Sequence, residues 1–282
     1  MARFTNQAQL RYGNEVTNSN IAVGEILEAL SAVKTAVRSV YGQRDKVTYS
    51  ISMVNAGAAL TGLTLTDNLG AYAFGTDSLV PLTYIPGTVK YYVNGVLQPT
   101  PTVAAGPPMS ITGLSIPANG STVLLYETET NQYTPLTAGS FVTNTAVLSG
   151  TGLAPVSVTE TIEADTEPLL TITKSVSPVP VTQNGTLTYT FLIQNAGNAA
   201  ATTATGVVVT DTFDPILENI TVTFNGTVLT ETTDYTYNKQ TGAFVVNAGQ
   251  ITVPAAEFTQ DTTGAWMVNP GVSTLVVSGT IQ

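Results

Sequence analysis

The chain of 282 residues has no cysteine and no histidine. The first absence removes disulfides and thiol nucleophiles, the second removes the commonest general base, and together they remove the usual transition-metal ligands. Cysteine usage therefore says nothing of the redox compartment, and any resistance to heat or chemical attack must come from another crosslink or from tight assembly. Charge is also scarce: nine Lys and Arg stand against 19 Asp and Glu, for a net charge of −10. The nine cations are scattered, so no basic face exists for nucleic acid. No G-x-S-x-G elbow and no D-x-D-x-D-G loop occurs, and the carboxylates are widely spaced. Neither catalytic residues nor a metal nor a cofactor is expected. Long apolar runs are missing too. No window approaches the ~18 residues that span a bilayer, and the opening MARFTNQAQLRYGNEV lacks the ~7–15-residue apolar core of a signal peptide. Membrane insertion is not expected, and no signal peptide is visible.

What the chain does contain is 43% hydrophobic residues, much Thr and Val, 24 Gly and 15 Pro at short intervals. That is the composition of many short strands joined by turns, and the length suits two domains. The expected fold class is all-β. Asn-Gly at Asn119, Asn184 and Asn225 fits glycosylation sequons, but in such a chain Asn-Gly reads first as a hairpin turn.

The two halves repeat. KTAVRSVYGQRDKVTYSISMVNAG from Lys34 matches KSVSPVPVTQNGTLTYTFLIQNAG from Lys174, with an offset of 140 at Lys34/Lys174, Tyr49/Tyr189 and Asn55/Asn195. LTLTD ending at Asp67 matches VVVTD ending at Asp211, YVNG matches TFNG, SIPA matches TVPA, and STVLLYET matches STLVVSGT. The first copy then continues into FVTNTAVLSG, Phe141 to Gly150, whereas the second stops at Gln282. A counterpart stands at the other end of the chain. Thr5 to Leu10 lines up with Thr143 to Leu148, and VTNSNIAVGEI follows as LAPVSVTETIE follows in the first copy. The last strand of the second repeat thus stands at the front. A sandwich missing a strand exposes an apolar slot and unpaired backbone groups. Filling it from a neighbouring copy is a head-to-tail contact, which propagates as an open filament.

LTITKSVSPVPVTQNGTLTYTFLIQNAGN followed by GVVVTDTF, and KTAV, VTYSISMVNAG, LTLTDNLG and VTNTAVLSG in the first half, resemble the bacterial and archaeal surface-protein repeat known as domain of unknown function family eleven. The resemblance implies immunoglobulin-like sandwiches and a place on cell surfaces or in extracellular fibres. It names no ligand.

Lys, Asp and Asn recur at matching strand positions. In bacterial surface sandwiches such a trio can form an isopeptide bond, because burial favours a neutral, nucleophilic Lys amine and an Asp able to protonate the leaving amide. The intramolecular candidate is Lys34, Asp67 and Asn144. The plainer reading is a Lys–Asp ion pair with an Asn capping a turn. In the second copy the match to Asn144 is Asn6 on the donated strand, so Lys174, Asp211 and Asn6 form the intermolecular candidate; otherwise Asn6 only hydrogen-bonds in the slot. On the period-two rule Phe4, Asn6, Ala8 and Leu10 share a face, with Phe4, Ala8 and Leu10 as anchors.

The sequence therefore predicts a donor strand and linker over 1–25, a first immunoglobulin-like domain over 26–162, a linker over 163–168, and a second domain over 169–282 lacking its last strand. Asn14 to Glu25 is expected to be a flexible joint between subunits. The expected function is a structural subunit, not an enzyme, partnered by copies of itself in a filament on an extracellular cell or spore surface. The alternative is a cell-surface adhesin or ligand-binding module.

Overall fold

A computed structural model describes residues 2–26 and 30–281. The protein is all-β; its one helical element among the described residues is a single 3-10 turn, Thr203–Thr205, so no helix there is long and apolar enough to cross a membrane. The chain divides into two compact units. The first comprises Met1–Ser39, Asp45–Glu129 and Thr143–Ile162, and the second Val40–Arg44, Thr130–Val142 and Glu163–Gln282. Two short segments from the first half thus belong with the second unit. There Val40 and Tyr41 pair in parallel with Glu163 and Ala164. Within the expected 163–168 linker, Glu163 and Ala164 accordingly end the strand Leu153–Ala164.

Chain residues 2–26 form a long antiparallel hairpin. Strand β1 (Ala2–Asn6) pairs with β4 (Ala22–Ile26), and β2 (Gln9–Tyr12) pairs with β3 (Glu15–Asn18). Gly13, at φ 55, makes the tight turn that a Cβ would strain. Two residues separate β1 from β2 and three separate β3 from β4, so the return side carries a bulge. Ser19 secures it: its backbone N–H donates to Ala8 O at 2.9 Å, and its hydroxyl accepts from Ala8 N at 2.9 Å. The expectation of a flexible joint over Asn14 to Glu25 is corrected here, since β3 and β4 occupy most of it. The stretch reads as a linker because a hairpin with no cover of its own needs no apolar alternation.

In the first unit, one sheet runs in the order Val96–Gln98, Lys90–Val93, Gly120–Thr130, Lys46–Asn55, and β5 (Leu30–Ala36). The facing sheet runs Thr102–Ala104, Met109–Ile116, Leu60–Asp67, Phe141–Gly150, Leu153–Ala164. Alternate residues of both sheets meet in the core, where Tyr49, Ile51, Leu124 and Tyr126 lie against Leu65, Ile111, Ala146 and Leu148. The second unit repeats the first sheet as Leu170–Ser177, Thr186–Asn195, Gly271–Ile281, Leu217–Phe224 and Thr227–Val228. Its core gathers Tyr189, Phe191, Leu275 and Val277 with Phe213 and Phe244.

Strand pairing fixes the repeat. Lys34 pairs with Ile51 and Lys174 with Phe191, which upholds the offset of 140. The matching Asn-Ala-Gly motifs do the same job twice. Asn55 donates to Ala58 O at 2.7 Å and Pro117 O at 3.0 Å, and Asn195 donates to Ala199 O at 2.7 Å and Pro254 O at 2.9 Å. Each also accepts from the N–H two residues on, at 2.9 Å. One detail is corrected. Tyr49 faces Tyr126 and Tyr189 faces Val277, so STVLLYET and STLVVSGT correspond one residue out from their sequence alignment. A slip of one moves every side chain to the other face of the sheet, which letter similarity cannot detect in a run of Ser, Thr and Val. Asn119, Asn184 and Asn225 all have positive φ (49°, 57° and 48°) and stand in turns, as expected of Asn-Gly.

Candidate crosslinking sites and an open sheet edge

Lys34 sits on β5 in one sheet and Asp67 at the end of Leu60–Asp67 in the other, so their contact crosses the sandwich. Lys34 Nζ lies 2.7 Å from Asp67 Oδ2, and neither side chain is exposed at all. The ammonium stands 4.8 Å from the centre of the Tyr49 ring. Burial pulls the Lys34 amine down to about 8, against the upward pull of the Asp67 charge. Asp67 also accepts from Leu69 N at 2.8 Å and from the Tyr126 hydroxyl in a very short hydrogen bond. That hydroxyl is held well above its usual range, by burial first and by the Asp67 charge next.

Asn144 completes the group from the neighbouring strand Phe141–Gly150. It is fully buried, close enough to Tyr126 to act weakly on its hydroxyl, and neither polar atom of its side chain has a hydrogen-bond partner of good geometry. Buried amides are almost always paired, so an unpaired one beside a depressed Lys calls for an explanation. The structure thus brings Lys34, Asp67 and Asn144 into one buried cluster. Asn144 caps no turn there. Sequence reasoning missed Tyr126; its signal, a Tyr directly across from Tyr49, is lost because the second repeat has Val277 at that position.

The second unit brings Lys174 and Asp211 together in the same way, as a close ion pair, but its side chains are 37% and 18% exposed. Lys174 Nζ lies 4.3 Å from the Tyr189 ring centre and 5.3 Å from that of Phe213. The cause of the exposure is topological. Among the described residues the facing sheet holds Tyr235–Tyr237, Ala243–Val246 and Val209–Thr212, and Val209–Thr212 is one of its two edges. The first unit has two further strands at that place. Ile172 and Val176, on the inward side of Leu170–Ser177 with Lys174, are consequently 51% and 40% exposed. Exposed apolar side chains on one sheet and an edge strand on the other result.

Asn6 and the anchors Phe4, Ala8 and Leu10 lie in the N-terminal hairpin. All four are exposed there, Phe4 at 55% and Leu10 at 61%. Asn6 belongs to the first unit, and Lys174 and Asp211 to the second.

No family model matches the sequence, so the surface-repeat resemblance rests on its quoted motifs. No curated protein matches it either. Several solved structures are similar in fold. BcpA, the major pilin subunit of Bacillus cereus, is 10% identical, with 96% of this chain and 73% of that one covered and a TM-score of 0.36. The pilus backbone RrgB from Streptococcus pneumoniae is 11% identical, with coverage of 86% and 55% and a TM-score of 0.33. ACE19, the collagen-binding subdomain of the Enterococcus faecalis surface protein ACE, is 7% identical, with coverage of 50% and 99% and a TM-score of 0.31. At such scores nothing is carried from these proteins to this chain.

Proposed function

We propose that the protein is a structural subunit that polymerises head to tail, each chain's N-terminal segment completing the second sandwich of the next, in a filament on an extracellular cell or spore surface. The observation that carries this reading is the unpaired edge of Val209–Thr212, at the place where the first unit pairs Leu60–Asp67 with Phe141–Gly150. The chain's own match to that missing strand is exposed and apolar on one side. Burial of Phe4 and Leu10 in the slot contributes roughly 1.5–3 kcal/mol each.

Two covalent bonds follow from the same frame. In the first unit the Lys34 proton passes to Asp67, the neutral amine attacks the Asn144 amide carbon, and Asp67 gives its proton to the departing nitrogen and takes the second proton of the attacking one, so that it ends protonated. One C–N bond forms, one breaks, and ammonia leaves. Docking brings Asn6 to the position of Asn144 beside the next subunit's Lys174 and Asp211, so the same exchange there ties subunit to subunit.

Removal of residues 1–12 tests the reading. Electron microscopy and sedimentation of the purified chain should show filaments for the full protein and monomers with an unstable second unit for the truncated one. Normal polymerisation without those residues would sink it, and an adhesin would give monomers in both cases.

A further inference from the structure

We infer that the donated element is the whole N-terminal hairpin, β1 to β4, entering the next subunit's slot as a preformed two-stranded unit; this rests on the donor-strand reading above. Topology supplies the first argument. The first unit's sheet continues beyond Leu60–Asp67 through both Phe141–Gly150 and Leu153–Ala164, so the second unit is owed two strands. One donated strand would fill only the first of these two places.

Register supplies the second. The Thr143 hydroxyl meets that of Thr161 at 3.1 Å, and Thr145 meets Thr159 at 3.0 Å. Shifting both strands by the 138 residues that separate Asn144 from Asn6 turns the first pair into Thr5 and Val23, which are observed partners. The same shift lays the turn between Gly150 and Leu153 on the turn between Tyr12 and Glu15. The return strand therefore corresponds one residue out from its alignment by letters. The isolated hairpin already has the geometry of the pair it would replace.

Packing supplies the third. Val142, Asn144, Ala146 and Leu148 are the buried residues of the first unit's strand, and they become Phe4, Asn6, Ala8 and Leu10. Ile162, fully buried on the return strand, becomes Gly24. Gly24 is the cross-strand partner of Phe4, whose ring lies over it so closely that a Cβ there would stand 2.3 Å from Phe4 Cζ. A medium pair, Val and Ile, is replaced by a large and an absent side chain. The Phe ring fills the space of the missing one, and this compensation works only if both strands enter together. The register then places Ala8 opposite Asp211, Gln9 opposite Thr210 and Leu10 opposite Val209 of the next subunit, as Ala146, Val147 and Leu148 stand opposite Asp67, Thr66 and Leu65.

A lock distinguishes hairpin from single-strand donation. Thr5→Cys with Val23→Cys places a disulfide across an exposed pair whose first-unit counterparts, Thr143 and Thr161, are also exposed, so the bridge points away from the slot. The full chain is unfolded in urea, oxidised at low concentration and diluted to refold, with a reduced sample alongside. The oxidised chain should form filaments at a rate within about twofold of the reduced one. A chain that stays monomeric until dithiothreitol is added would show that β1 and β2 must peel away from β3 and β4, which overturns the hairpin while leaving donor-strand assembly intact. Arg11→Cys with Val16→Cys, an observed pair nearer the tip, repeats the comparison. The inference stands only if both locked chains assemble. Failure of the donor-strand reading itself is separate, since it shows in the truncated chain.

Discussion

The two Lys–Asp pairs are the same residues on the same strands, yet one is sealed and the other wet. Lys34 and Asp67 are wholly buried, and Lys174 and Asp211 are 37% and 18% exposed. The difference is the hairpin Phe141 to Ala164, which continues the first unit's sheet beyond Asp67, whereas among the described residues no strand pairs with the second unit's Val209–Thr212 on that side. Reactivity of a buried Lys comes from desolvation, because water stabilises the ammonium and the protein interior does not. The first site is therefore set by folding alone. In the proposed assembly the second would reach that state when another subunit covers it, so the joint would react only after docking. A covalent step coupled in this way does not need a separate enzyme to recognise the finished joint.

Removing one lysine at a time breaks the comparison most sharply. Filaments boiled in denaturing detergent should run as a ladder of multimers, and Lys174→Ala or Asn6→Ala should abolish it, leaving monomer. Lys34→Ala should leave the ladder in place and instead raise the mass of each subunit by about 17 Da relative to the lysine-corrected value, since one ammonia is retained. Wild-type material that runs only as monomer eliminates the intermolecular bond and leaves a reversible joint.

How much of this was legible in the sequence follows from what kind of signal each part leaves. The Lys, Asp and Asn-Ala-Gly positions stood out because an ion pair across a core, and a buried amide bonded to two carbonyls, tolerate few other residues. The Lys-to-Asn spacing is the same in both copies, whereas Asp67 follows Lys34 by 33 residues and Asp211 follows Lys174 by 37. The open edge was legible as a missing segment. The return strand β3–β4 was not, because its Asn, Thr and Ser resemble a linker until a partner strand shows their register. The offsets at Val277 and along the return strand were invisible for a related reason: runs of Thr, Ser and Val score alike at neighbouring registers, and only hydrogen-bonded pairing decides between them. Tyr126 left no repeat signal, since only the first unit has it.

A smaller effect should show where the two units are alike. Asn55 and Asn195 are both buried, and each ties a turn to a neighbouring loop through two donated bonds and at least one accepted bond. Replacing either with Ala leaves buried carbonyls unpaired, which costs about 1–3 kcal/mol. In assembled filaments, calorimetry should give drops of similar size for Asn55→Ala and Asn195→Ala. In the chain lacking residues 1–12 the second should be the more damaging, because the unit it weakens is already short of two strands. Equal losses in the truncated chain would mean that the slot costs the second unit nothing.

The smallest effect is the most specific to mechanism, and it sets stability against rate. The Lys34 amine ionises at about 8 in the folded chain, against 10.5 when unperturbed. Between those values the unfolded chain holds a proton that the folded chain has lost, so stability rises with pH across the window and is unaffected by this group below about 8. Asn144→Ala, which cannot crosslink, should accordingly gain stability from pH 8 to 10.5 relative to Asn144→Ala with Lys34→Met. The crosslinking rate should run the other way. A neutral Lys34 beside a protonated Asp67 carries the same net charge as the ion pair, so the reactive form is present as long as the pair keeps its one proton. Raising the pH through about 8 removes that proton, so the carboxylate has none ready during the attack and must first take one from the attacking nitrogen. The rate of ammonia loss in freshly folded chain, followed by mass, should be level below about 8 and fall above it. A rate that climbs through 8 would show that the free amine alone limits the reaction and that Asp67 is not the proton shuttle.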